Sequence, residues 1–241
     1  LNGINYPASI MKLDHAGHLS PTFMLGAGAG FDNQVNVLVE DNGVLLVGGR
    51  FRVYQGHPRQ FVARFDKEGR WNAQFGQTVS GAFDSDIVRD IAVDGTHVYV
   101  AGGDSGFTLG RIWKLSYQGL GEDQSFKTNS GTFNNTVSAI GVSSAGVFVS
   151  GAFTQRNATA IASGIAKFGL NGTFDATFDA TAGGASHYGF GQTAHRIVAT
   201  PTNVYWAGYI TSYINVATGR WLGTGTDGSV VFRGGLDGFL V

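Results

Sequence analysis

Aromatic rings interleaved with amide, carboxylate and guanidinium groups recur in the longer connections of this chain. They are Tyr54, Gln55, His57 and Arg59; Asp104 and Phe107; Gln155, Arg156 and Asn157; His187 and Tyr188; and Tyr209, Tyr213 and Asn215. A ring can stack on the apolar face of a sugar while neighbouring polar groups pair with its hydroxyls. The mixture reads as a carbohydrate-type binding surface. The candidate ligand-binding residues are Tyr54, His57, Arg59, Asp104, Arg156, Asn157, His187, Tyr188, Tyr209 and Tyr213.

Catalytic groupings are poorer. Glycoside hydrolysis needs a pair of carboxylates flanking the scissile bond, and the chain has three Glu, Glu40, Glu68 and Glu122, each at a tight turn. Asp90 follows Arg89 in a strand, which reads as an Asp–Arg pair facing a wet channel. His15 and His18 share one turn without a third ligand at metal-binding spacing. "FDNQ" at 31–34 and "DSD" at 84–86 read as loop caps, because they lack the regular spacing of a calcium loop. "GAGAGF" at 26–31 precedes a strand, so no helix N-terminus is there to receive a phosphate. No catalytic residue, metal or cofactor is expected.

The elements that must carry the loops repeat. "VLLVGG" at 44–49 returns as "VYVAGG" from 98, "VFVSGA" from 147 and "VYWAGY" from 204. An apolar–basic–apolar segment recurs around Lys12, Arg64, Lys114 and Lys167, each followed by a Gly turn and then by Phe23, Phe75, Phe126 or Phe178. Phe31, Phe83, Phe133 and Phe190 stand in Gly-rich loops before strands starting near Val35, Val88, Val137 and Ile197. "DNG" and "DGT" between the first two strands are hairpin signals. Four short strands per unit of about 52 residues describe a propeller blade. The expected fold is an all-β propeller in a single domain, 1–241. Residues 1–24 supply the third and fourth strands of a closing blade, 25–76, 77–127, 128–179 and 180–228 are repeats, and 229–241 are closing strands. Five blades is the reading, with four as the alternative. The recurring basic side chains are expected to cover the neighbouring blade and carry their heads to water. Tight turns populate one rim and long loops the other, so the long-loop rim is the expected binding face.

Composition agrees. Glycine is abundant (38 of 241) and proline scarce (four), which suits many tight turns. A net charge of −1 offers no excess of cations for nucleic acid. No run of eighteen apolar residues is present, so no membrane insertion is expected. The absence of cysteine excludes disulfides and thiolate metal sites. A start at Leu1 without Met is read as a mature product or an excised domain.

The order of motifs, "I-x-K/R-L/F" with a Gly turn and a distal Phe, then "G-F-D/N", then "V-x-V-G-G-x-F", resembles the delta-60 repeat over residues 8 to about 209. In the fourth unit "GGxF" becomes "AGYI", and the motif decays towards the C-terminus. The resemblance implies a β-propeller of a bacterial surface or secreted protein, hence an extracellular or cell-surface setting. It implies no activity. The expectation is a non-catalytic binding or adhesion module for a cell-surface glycan or envelope component, and a homotrimer if it tips a fibre. A glycoside hydrolase or lyase using Asp90, and a structural spacer or protein-interaction platform, are the alternatives.

Overall fold

The computed structural model describes residues 10–18, 20, 30–58, 61–75, 86–118, 121–184, 189–190 and 193–234. Among these residues, four antiparallel sheets of three or four strands follow one another along the chain. The first holds β1 (Val35–Asp41), β2 (Val44–Gly49) and β5 (Val62–Phe65), with β2 central. The second holds β6 (Asp86–Val93), β7 (His97–Asp104) and β8 (Gly110–Ser116). The third holds β9 (Val137–Ser143), β10 (Gly146–Gly151) and β13 (Ile165–Phe168). The fourth holds β14 (Ala194–Ala199), β15 (Asn203–Gly208), β18 (Trp221–Gly225) and β19 (Val230–Arg233). The turn signals explain the tight first connections. Asn42 and Gly43 take φ of 51° and 80°, as a two-residue hairpin matched to strand twist requires.

Two features depart from the four-strand expectation. In the first three units the outer strand shrinks to one bridge: Phe65 with Trp71, Leu115 with Glu122, and Phe168 with Phe174. The chain then turns helical, as α1 (Gln124–Ser130) and α2 (Ala176–Thr181) in the second and third units. The cause is an Asp or Asn three residues before Phe75, Phe126 and Phe178. Asp123 accepts the Phe126 N–H at 2.9 Å, Asp175 accepts that of Phe178 at 2.9 Å, and Asn72 accepts that of Phe75 at 3.2 Å. Capping satisfies an N–H that the strand would otherwise need to pair. Secondly, Val230–Arg233, expected among the closing strands, pairs with β18 as the outer strand of the fourth sheet.

The sheets pack in chain order, with β1 beside β6, β6 beside β9 and β9 beside β14. Alternate residues of each central strand face opposite neighbours. Leu46 packs with Val98, Val100 and Trp113 of the next sheet. Tyr99 packs with Val147 and Val149, and Phe148 packs with Val204 and Trp206. The central strands of the first three sheets are therefore covered on both sides, which explains their unbroken apolar runs, whereas β15 leaves Tyr205 exposed on its far side. Ile10 packs on Val47 and Phe65 from the N-terminal side.

Two of the recurring basic residues, Lys114 and Lys167, do not carry their heads to water as expected, whereas Lys12 is exposed. The Lys114 side chain is 11% exposed, with Nζ 3.4 Å from the Asp123 carboxylate. It also donates to the Leu170 carbonyl in the following unit at 3.0 Å. Lys167 pairs with Asp175 at 2.9 Å. Lys114 and Lys167 thus each meet the carboxylate that caps the helix of their own unit. These contacts hold Asp123 and Asp175 below the usual carboxylate range: for Asp123 the N–H of Phe126 is the main cause, and for Asp175 the Lys167 contact and the capped N–H groups outweigh burial.

Candidate functional site

The long-loop rim is built from hairpins rather than open loops. β3 (Val53–Tyr54) pairs with β4 (His57–Pro58), β11 (Gln155–Arg156) with β12 (Thr159–Ala160), and β16 (Ser212–Tyr213) with β17 (Val216–Ala217). Their turns place Gln55, Asn157, Ala158, Ile214 and Asn215 at positive φ. The Gly-rich loop pins each hairpin: Phe31 bridges Tyr54, Phe133 bridges Arg156, and Phe190 bridges Tyr213. The residue after the Phe completes the clamp. Asp32 accepts from the N–H groups of Arg52 and Val53 at 2.8 and 2.9 Å, and Asn134 from those of Thr154 and Gln155 at 2.9 Å each. The "GF-D/N" motif is a hairpin clamp, which explains Asp32 as a loop cap.

This architecture redistributes the candidate ligand residues. Tyr54 and Tyr213 are core residues, 1% and 0% exposed. Tyr54 packs edge-on against Phe65, and Tyr213 donates its hydroxyl to the Gly228 carbonyl at 2.8 Å. Neither ring offers a face to a ligand, so both leave the candidate set. Arg156 lies over Phe174 and donates to the Ser130 carbonyl at 2.7 Å, closing the end of α1. Asn157 accepts the Thr132 N–H at 2.9 Å, and Asp104 accepts those of Thr108 and Leu109 at 2.7 and 3.1 Å. These three polar groups are committed to the scaffold. His57 is exposed and stacks at 5.3 Å on Trp71. Tyr209 is exposed, lies edge-on to His195 at 5.1 Å and carries the Arg220 guanidinium over its ring. Arg59, His187 and Tyr188 lie outside the described residues.

A different set of residues converges. Each first strand carries one extra residue near its start: Asn36 in β1, Arg89 in β6, Ser138 in β9 and His195 in β14. A β-bulge turns a side chain out of the regular alternation, and bulges collect at barrel rims and active sites. All four bulged residues line one cavity of about 600 Å³, together with Phe107 and Arg196. It opens at the long-loop end, where the first strands begin. Sequence reasoning missed the set because a bulge leaves no residue signature of its own; its trace is the glycine of each second strand that lies opposite it.

Cross-sheet hydrogen bonds hold the cavity floor. Asn36 donates to the Val88 carbonyl at 2.8 Å, tying β1 to β6. Asp90 does not pair with Arg89, as expected from sequence, but with Arg196 of β14 at 2.9 Å. It also accepts the Ile91 and Ile140 N–H groups at 3.0 and 3.1 Å, so one carboxylate joins three sheets. Burial raises its pKa to about 6, outweighing these N–H groups and Arg196. A raised carboxyl pKa favours the folded state while the group is protonated. Stability is therefore expected to fall as pH rises from about 4 through about 6, by about 3 kcal/mol at most. Asp90→Asn should lose this dependence. Urea midpoints of both proteins at pH 4 and 7.5 measure it; parallel changes in the two would remove Asp90 as the cause.

The described residues contain no group of three His, Asp or Glu side chains placed to hold a metal ion, and no helix among them is long and apolar enough to cross a membrane. His18 instead meets Asp14 at 3.3 Å. No family model matches the chain, and no curated protein matches it.

Proposed function

We propose that the chain is a five-bladed β-propeller, closed by strands from both termini. In this reading it is a non-catalytic binding module of a bacterial surface or secreted protein. Its ligand is a cell-surface glycan or envelope component, taken at the long-loop end. The observation that carries the reading is the cavity of about 600 Å³ into which all four first strands turn a bulged residue. A spacer needs no such convergence, and a cavity of this size is in the range that holds small ligands. Asp90, a single buried carboxylate already bound by Arg196, gives no carboxylate pair for hydrolysis.

The faces at the two ends of the stack support ring closure. Tyr205 and Trp221 occupy the fourth-sheet positions that Phe148 and Ile165 occupy in the third. Phe148 and Ile165 are fully buried, whereas Tyr205 and Trp221 are 39% and 40% exposed. Leu38, the counterpart of Ile91 and Ile140, is exposed on the first sheet. A further blade between these faces would cover both.

A glycan-array screen of the purified chain tests the function, with a Phe107→Ala/Tyr209→Ala variant alongside. Both rings are exposed, so the variant should fold normally. Binding weakened at least 10-fold in the variant is the expected result; silence of the wild type across the array would overturn the reading.

A further inference from the structure

The charge of the cavity selects among glycans. Arg89 and Arg196 stand on its wall, and among the described residues that line it there is neither Asp nor Glu. Arg196 is answered by Asp90, which lies buried behind the wall. Arg89 is not answered. Its Nε is buried and has no hydrogen-bond partner. Its guanidinium lies 4.9 Å from the centre of the Phe107 ring. Burial, and then the charge of nearby Arg50, hold its pKa below the usual guanidinium range. Buried polar groups are ordinarily paired, and Arg89 stands at the cavity wall as a cation with no carboxylate of its own. A guanidinium fork matches a carboxylate through two parallel N–H···O bonds.

Resting on the reading of this cavity as a glycan site, we propose that its ligand is an acidic sugar of the uronic-acid type. The carboxylate pairs with the terminal guanidinium nitrogens of Arg89, and the sugar ring lies beside Phe107. Arg196 adds positive potential but does not lead recognition, because Asp90 already holds one of its donors.

Calorimetric titration of the intact chain with oligogalacturonate and oligoalginate, each against its neutral methyl ester, tests the proposal. The acids should bind at least 10-fold more tightly than the esters. Arg89→Gln should abolish that preference with an unchanged thermal midpoint. Arg89→Lys should restore only part of it, since lysine keeps the charge and loses the fork. Equal binding of acid and ester, or an undiminished preference in a folded Arg89→Gln protein, would overturn the acidic-sugar proposal. If neutral glycans bind on the array but the acids do not, the glycan site stands and this proposal falls. A wild type silent on the array and towards both acids removes the underlying reading as well.

Discussion

Gly151→Ala is expected to destabilise the fold by about 3 kcal/mol or more, at the top of the range for overpacking. A Cβ at Gly151 would lie 2.1 Å from the Thr136 carbonyl oxygen and 2.9 Å from the Val137 Cα. Both are backbone atoms, so no side chain can swing away. The same contact recurs at Gly49 against Gln34 and at Gly102 against Ile87, each at 2.1 Å. In all four sheets this glycine pairs with the residue immediately before the bulge: Gly49 with Val35, Gly102 with Val88, Gly151 with Val137 and Gly208 with Ala194. The first strand can press in and turn its extra residue towards the cavity only because no Cβ stands in the way. Gly95→Ala is the informative comparison. Gly95 has a positive φ of 86° but open space around it, so only backbone strain of about 1 kcal/mol is at stake there. Chemical denaturation of both variants separates the cases. Equal, small losses would mean that the glycine is needed for something other than close approach.

Tyr213→Ala is expected to cost about 3–5 kcal/mol, the range for emptying a buried aromatic site. Tyr213 is wholly buried beside Phe190, and its hydroxyl satisfies the Gly228 carbonyl. Tyr213→Phe keeps the packing and strands that carbonyl, for a loss of about 1–3 kcal/mol. Urea unfolding of the two variants checks this order. A Tyr213→Ala protein as stable as wild type would return the ring to the surface and to the list of ligand contacts. The distinction matters for function, because loss of binding in an unfolding variant says nothing about the site.

The repeat, its strands and the rim that carries long connections were legible because each rests on residue type. Valine runs need two covered faces, Asp-Gly and Asn-Gly need particular turns, and a basic residue recurring once per unit needs a recurring partner. The short helices have a sequence signal as well: Asn72, Asp123 and Asp175 stand three residues before a Phe, which is a capping signal. The candidate site was legible only as a region. Tyr54, Arg156 and Asn157 have the chemistry of a sugar site, but hairpins that fold back onto Phe31 and Phe133 consume them. Asn36, Arg89, Ser138 and His195 lie in strands, where alternation would give each an ordinary face. Only the extra residue in the register brings them to one cavity.

The most direct measurement fills that cavity. The chain contains no cysteine, so a single thiol can be placed at will. Ser138→Cys puts it on the cavity wall, and Thr202→Cys puts it in an exposed turn of the opposite rim. Each protein is returned to the glycan array before and after reaction with a bulky maleimide. The expected result is that the adduct at position 138 abolishes binding while the adduct at 202 leaves it intact. Undiminished binding with the cavity blocked at position 138 would contradict the assignment of the site.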